Sequence, residues 1–246
     1  MKIISWNCNG AFRKKFAYLS QFDADVLIIQ ECEDPAQSKN ASYREWATNY
    51  IWIGNTKNRG LGVFAKACAT LEHLTLDHSF GDASLKWFIP FRHNNNLDFI
   101  AVWTQKSESG YFGYIGQLYK FIMNNIDDIN SQIIIGDFNS NKIWDYKRTE
   151  GDHSSCVNLL SKKGIVSLYH ELMKESQGEE LQPTFYLQRN LSKPYHIDYA
   201  FLPESFSRGA SLHIGSHADW LEISDHMPII LEIPHTPLAP RRATKT

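Results

Sequence analysis

Two runs of branched aliphatic residues, Val26-Leu27-Ile28-Ile29 and Ile133-Ile134-Ile135, pass directly into polar side chains, Gln30-Glu31 and Gly136-Asp137-Phe138-Asn139. Short, continuous apolar runs of this kind read as strands buried on both faces, as in sheets covered by helices. A carboxylate at the end of such a strand is costly unless it binds a cation or accepts hydrogen bonds. The same conjunction recurs at Trp6-Asn7, His196-Ile197-Asp198-Tyr199 and Ser224-Asp225-His226-Met227-Pro228. One D-x-N pair alone is ordinary turn chemistry. Several clusters in one chain instead predict an α/β fold whose polar groups gather at the ends of its strands.

The intervening segments supply the elements. Residues 2–7 and 25–31 read as strands, separated by a helix with Phe12, Phe16 and Leu19 on one side and Arg13, Lys14 and Lys15 on the other. Strands are predicted over 61–66, 71–76, 85–91 and 97–104, an antiparallel run with a turn at Asn94-Asn95-Asn96. A helix over 114–129 carries Ile115, Leu118, Tyr119, Ile122 and Ile126 on one face and leads into a strand over 132–135. Helices over 154–163, stopped by Gly164, and 167–175 precede strands over 195–202, 211–214 and 227–233. With neither linker nor repeat, the reading is a single domain over residues 1–233. The proline-rich remainder, 234–246, reads as a mobile, solvated tail.

Composition narrows the class. With 43% hydrophobic and 21% charged residues, the chain is not of the disordered type, and no apolar run is long enough to span a bilayer. Ser5, Asn7 and Asn9 interrupt any secretory apolar segment, so the expectation is a cytoplasmic protein with no membrane partner. The four cysteines form no C-x-x-C pair and read as free thiols. Cys8 and Cys32 each follow a candidate site residue by one position, so on a strand they face the opposite side and read as buried rather than metal-binding. Lys plus Arg is 25 against 27 Asp plus Glu, a net charge of -2, so any polyanion must be recognised by placement rather than by overall charge. Arg13, Lys14, Lys15, Lys57, Arg59, Lys142, Lys147, Arg148, Arg189 and Lys193 lie in loops next to the polar clusters.

Taken in order, SWNCNG, ADVLIIQE, GLGVFAK, GDFNS, HIDYAFLP and SDHMPI resemble the motif series of the endonuclease/exonuclease/phosphatase superfamily, over the whole span from Ile3 to Ile233. That superfamily includes exonuclease III-like apurinic endonucleases, DNase I, inositol polyphosphate 5-phosphatases, sphingomyelinases and deadenylases. The resemblance implies a four-layer α-β-β-α sandwich with two mixed β-sheets (DNase I-like) and a site at one end of the sheets. Phosphoester hydrolysis builds negative charge on phosphoryl and leaving oxygens, which a divalent metal stabilises. By the resemblance, Glu31 is the principal ligand, Asn7 supplies an amide oxygen or orients the site, and Asp225 is a further ligand. Mg²⁺ suits these oxygen donors, with Mn²⁺ able to substitute.

His226 is then expected at the scissile phosphate with Asp198 as its partner, either taking the proton of the attacking water or acting as a charged stabiliser of the transition state, with Asp137 as the competing general base. Asn139 is expected to donate to a phosphoryl oxygen. Where the nuclease and phosphatase branches place Tyr or His before the long helix, this chain has Trp103, which donates one hydrogen bond and cannot ionise. Phe185, Tyr195 and Ile197 match elements that surround a base-free sugar in apurinic endonucleases; as strand residues they read equally as core. The implied function is a monomeric, metal-dependent nuclease of the exonuclease III/apurinic-endonuclease type acting on DNA. The alternatives are a phosphomonoesterase or hydrolase of small or lipid phosphoesters, and a binding module without turnover.

Overall fold

A computed structural model describes residues 1–81, 83–106, 113–145 and 150–234. Alternation along the strands divides their apolar residues between three layers. Ile3, Val26, Ile28, Val63, Ile89, Phe99, Ala101, Ile133, Ile135, Ala200 and Leu231 point into one central layer. Their chain neighbours Ile4, Trp6, Leu27, Ile29 and Phe64 point outward on one side, and Ile100, Val102, Ile134, Tyr199 and Phe201 on the other. Two sheets packed face to face, each with helices outside, satisfy all three layers.

The first sheet runs Ser211–Ile214, Ile229–Glu232, Lys2–Asn7, Val26–Cys32, Arg59–Ala65, Tyr50–Thr56. The second runs Ile165–Ser167, Asp198–Pro203, Ile133–Asp137, Leu97–Trp103, Phe88–His93, Leu71–His73. Each is mixed: Lys2–Asn7 pairs parallel with Val26–Cys32, and Ile133–Asp137 parallel with Leu97–Trp103. Gly136 permits the second pairing, because a Cβ there would lie 1.9 Å from the carbonyl oxygen of Val102. Ile115–Asn124 and His153–Lys162 cover the second sheet, while Phe16–Ser20, Ala41–Trp46 and His217–Trp220 cover the first. The two sheets and their helices form the expected α-β-β-α sandwich.

Local chemistry moves several predicted boundaries. The strand Tyr50–Thr56 and the helix Ala41–Trp46, capped by the Asn40 side chain on the Tyr43 N–H, are additions to the sequence reading. The 85–91 strand starts at Phe88, since Trp87 adopts a left-handed φ of 75°. The strand set over 71–76 stops at His73. The 97–104 strand is antiparallel to Phe88–His93 but parallel to Ile133–Asp137, so that run is only partly antiparallel. The helix set over 114–129 ends at Asn124, because the Asn125 amide takes the carbonyls of Phe121 and Asp77. Residues 167–175 divide into the end of a strand and the helix Leu168–Met173, closed by Lys174 at φ 60°. The helix near 12–19 is a 3-10 turn, Phe12–Lys14, followed by Phe16–Ser20. The predicted mobile tail lies outside the described residues apart from Pro234. Among the described residues, no helix is long and apolar enough to cross a membrane.

Candidate active site

The parallel central strands of both sheets end side by side. Asn7 continues the inward row of Ile3 and Ser5, and Asp137 that of Ile133 and Ile135, so both polar groups enter the seam between the sheets. There the Asn7 amide nitrogen donates to Asp137 Oδ2 at 2.9 Å and to Glu31 Oε1 at 3.4 Å, while its oxygen accepts the Asn9 N–H at 3.1 Å. Through these contacts Asn7 joins the first sheet to Asp137 and Glu31.

Glu31 reaches the seam only through a backbone irregularity. Strict alternation would turn it outward with Ile29. Instead the pairing of Val26–Cys32 with Arg59–Ala65 slips between Gln30 and Cys32, and Glu31 takes φ 64°. This bulge re-aims the carboxylate to the cleft and returns Cys32 to the outer core. Cys8 and Cys32 are both buried in that outer layer as free thiols, and burial pushes both thiols well up. Glu31 keeps 16% exposure and meets the Arg59 guanidinium at 2.5 Å. Arg59 also lies 5.5 Å over the ring of Trp103.

On the second sheet the carboxylates are buried. Asp137 accepts the Asn139 backbone N–H on Oδ1 at 2.8 Å and the Asn139 amide on Oδ2 at 3.0 Å. The same Asn139 amide donates to the carbonyl of Thr104 at 3.0 Å, so both of its hydrogens face protein acceptors and it holds Asp137 in place. Asn139 sits at φ 43°, a conformation that asparagine tolerates. Asp198, at the start of its strand, lies 3.0 Å from His226 Nδ1, and His226 Nε2 lies 4.0 Å from Asp137 Oδ2. Burial raises the Asp137 carboxyl to about 7, with Asp198 adding and His226 and Asn7 opposing. Burial alone would lower His226; the charges of Asp198 and then Asp137 outweigh it and lift the imidazole to about 9. Asp137, Asp198 and His226 offer ligand atoms within 4.8 Å of one another and form a buried cluster able to coordinate a divalent metal.

Above these groups opens a cleft of about 360 Å³, lined by Asn7, Glu31, Arg59, Trp103, Lys106, Asn139, Phe185, Asp225 and His226 among others. Asp137 and Asp198 lie beneath it. Trp103, 2% exposed, forms part of the wall and packs edge-on against Trp87 at 5.0 Å. The Phe185 ring lies tilted against His226 at 4.5 Å and pairs with Tyr195 across a two-stranded ribbon. Ile197 is buried and lines none of the cleft, so the expected three-sided sugar pocket is not assembled as such.

The loop cations divide. Arg59 and Lys106 line the cleft, and Lys15 binds the carbonyl of Cys8 at 2.5 Å. Burial first, and Arg189 among the nearby charges, lower the Lys15 ammonium. Arg13 is committed to an ion pair with Glu33. Lys147 and Arg148 lie outside the described residues.

Several positioning groups escape a sequence reading. The buried Thr184 hydroxyl accepts the N–H groups of Ile197 and Asp198, each at 3.0 Å. The Ser224 hydroxyl donates to the carbonyl of Asn7 at 2.7 Å and accepts the His226 N–H at 3.1 Å, tying the histidine loop to the first strand. Only proximity in the fold identifies them, since isolated Ser and Thr carry no spacing signal.

Residues 4–226 match the model of the endonuclease/exonuclease/phosphatase family. No curated protein sequence matches the chain. Among solved structures, the 3'-5' exonuclease NExo from Neisseria meningitidis superposes with a TM-score of 0.69 at 16% identity, covering 95% of this chain and 99% of that one. An AP endonuclease from Archaeoglobus fulgidus gives 0.67 at 15% identity, with the same coverages of 95% and 99%. The catalytic domain of Xenopus laevis APE2 gives 0.63 at 15% identity, covering 98% and 94%. At these identities the likeness establishes a shared fold. The family match spans all six sequence motifs, apart from the end of the last, and every residue of the cleft floor, and on it the chain belongs to the endonuclease/exonuclease/phosphatase family.

Proposed function

We propose that the chain is a metal-dependent phosphodiesterase that cleaves nucleic acid, DNA in the first instance, with Mg²⁺ as its ion and Mn²⁺ as a substitute. One observation carries the reading: a semi-exposed carboxylate, Glu31, and a buried Asp198–His226 pair meet at one cleft floor, linked through Asn7 and Asp137. The donors toward the cleft mouth, the Glu31 and Asp225 carboxylates and the Asn7 amide oxygen, are all oxygens, a set that fits a hard divalent cation. When bound, such a cation neutralises charge on the phosphoryl and leaving oxygens.

The chain's own groups supply the rest. Asp198 fixes Nδ1 of His226, leaving Nε2 toward the reacting phosphate as a charged hydrogen-bond donor. Asp137, oriented by Asn7 and Asn139, is the group placed to orient the attacking water and take its proton. Asn139 acts through Asp137 in this scheme. Arg59 and Lys106 line the cleft and bring two cations to it, which suits a phosphate backbone. The names of the similar structures, a 3'-5' exonuclease and AP endonucleases, support the same substrate class.

The deciding experiment is a panel of labelled single-stranded, duplex and abasic DNA, RNA and small phosphoesters, each with Mg²⁺, Mn²⁺ or chelator. Metal-dependent cleavage of DNA, abolished by chelation, is the expected result. Turnover confined to small phosphoesters would transfer the site to the phosphomonoesterase branch.

A further inference from the structure

A row of aromatic rings leads away from His226 toward the surface. Phe185 lies 4.5 Å from the imidazole, Tyr195 6.4 Å from Phe185, and Trp144 5.2 Å from Tyr195. Trp144 is 50% exposed, an unusual position for a large ring. The turn that presents it, Lys142–Trp144, is nonetheless anchored at both ends. Before it, Asn141 accepts the Ile143 N–H at 3.0 Å and donates to Glu180, to the carbonyl of His196 and to the hydroxyl of Tyr199, at 2.9–3.1 Å. After it, Asp145 accepts the N–H groups of His153 and Ser154, both at 2.9 Å, and the Ser154 hydroxyl. A largely part-buried polar network therefore anchors the turn that carries a half-exposed indole, which the two intervening rings connect to the cleft.

We infer that Phe185, Tyr195 and Trp144 form a stacking track for unpaired nucleotides, with Trp144 as its outer subsite. The inference rests on the nucleic-acid reading of the site and names the form of substrate it takes. Rings held at such steps offer π-faces to successive bases whatever their identity, and each base stacked this way contributes appreciably to binding. A duplex hides its base faces within its own stack, so only a single strand, an overhang or a frayed end can use the track. Charge agrees with this occupant: Lys142 begins the Trp144 turn and Lys193 precedes Pro194-Tyr195, and neither forms an ion pair among the described residues.

The test compares a dinucleoside phosphate, too short to reach Trp144, with a single-stranded octamer and a blunt duplex octamer, in DNA and RNA forms. For the intact protein, kcat/KM is expected to be higher on the single strand than on the blunt duplex. Trp144→Ala is expected to lower the octamer-to-dinucleotide ratio of kcat/KM roughly tenfold, and Trp144→Phe to preserve most of it. The sugar form with the larger drop identifies DNA or RNA as the occupant. An unchanged ratio, or equal loss on both lengths, overturns the track while leaving the nuclease reading intact. Failure of the intact protein to cleave any nucleotide substrate while it hydrolyses a phosphomonoester overturns that reading, and the track with it.

Discussion

The two sheets share one pairing scheme, from the Ser211–Ile214 and Ile165–Ser167 edges inward: antiparallel, antiparallel, parallel, antiparallel, antiparallel. Their central strands end in Asn7 and Asp137, which bond to each other. Yet the two strand ends differ in dielectric. The first sheet leaves Glu31 on a bulge, reachable from solvent and already facing the guanidinium of Arg59. The second encloses Asp137 and Asp198, at 0% and 2% exposure, where burial raises the Asp137 carboxyl against the opposing charge of His226. One scaffold thus presents a carboxylate open to solvent beside carboxylates enclosed by protein, the difference on which the proposed division between cation binding and proton transfer rests.

The largest effect should come from the enclosed end. His226→Ala and Asp198→Asn are each expected to lower kcat/KM by about 10³, in the range of paired His–Asp systems. In the proposed dyad Asp198 acts through His226, so the double variant should be little worse than His226→Ala alone. Single losses that multiply in the double variant would show two independent groups and dissolve the dyad.

A smaller and different loss is expected at the open end. Glu31→Gln keeps the shape of the side chain but removes its charge, and turnover should fall about 10² at a fixed metal concentration. Raising the metal should recover much of this, because the defect is in affinity. The same titration should recover nothing in His226→Ala. Rescue of both variants, or of neither, would erase the proposed division between the two sheets.

Thr184 probes how the enclosed end is built. Thr184→Val retains volume and strands two buried N–H groups, those of Ile197 and Asp198, for about 1–3 kcal/mol of stability. Turnover is expected to drop about tenfold as Asp198 loses its fixed approach to His226, while Thr184→Ser restores both quantities. Urea unfolding and steady-state rates measure the two; a stable Val variant with full activity would assign Asp198's placement to its strand alone.

The legibility of the two ends differed for physical reasons. The enclosed strands were plain in the sequence, since Ile133-Ile134-Ile135 has no reading other than burial and Asp137 ends it. Glu31 was visible as a residue, but the bulge that aims it was not, because a positive φ at glutamate leaves no compositional mark. The layers followed from apolar alternation. The edge strand Tyr50–Thr56 did not, as its half-exposed pattern carries a weak signal. Ile197 matched a pocket motif yet points into packing, which local sequence does not distinguish from a cleft wall. Asn141, Thr184 and Ser224 act across 55, 13 and 217 residues of chain respectively, a relation that exists only after folding.

The smallest effect expected is on stability, and it tests whether the enclosed end owes its firmness to the polar network beneath it. Glu180 joins the segment before Thr184 to the rest of that network: its carboxylate accepts from Asn141 at 3.0 Å and from the Gly178 N–H at 2.9 Å, and lies 3.1 Å from His170. Burial by itself would raise this carboxyl, but the bonds from His170, Asn141 and Gly178 outweigh it and bring it down to about 2, from an ordinary 4.5. A carboxyl that binds its proton more weakly when folded stabilises the fold at pH values above its unfolded pKa. That contribution is complete above about pH 4.5 and is lost as pH falls toward 2. Allowing for partial screening by solvent, it amounts to about 1–2 kcal/mol. Glu180→Gln should therefore be less stable than the parent protein by that amount at pH 7, with the difference narrowing as urea unfolding is repeated from pH 5 to pH 3. A stability gap that stays constant over this range would mean that the glutamate contributes shape rather than charge. The firmness of the enclosed end would then rest on Thr184 and the strand, with no electrostatic share from Glu180.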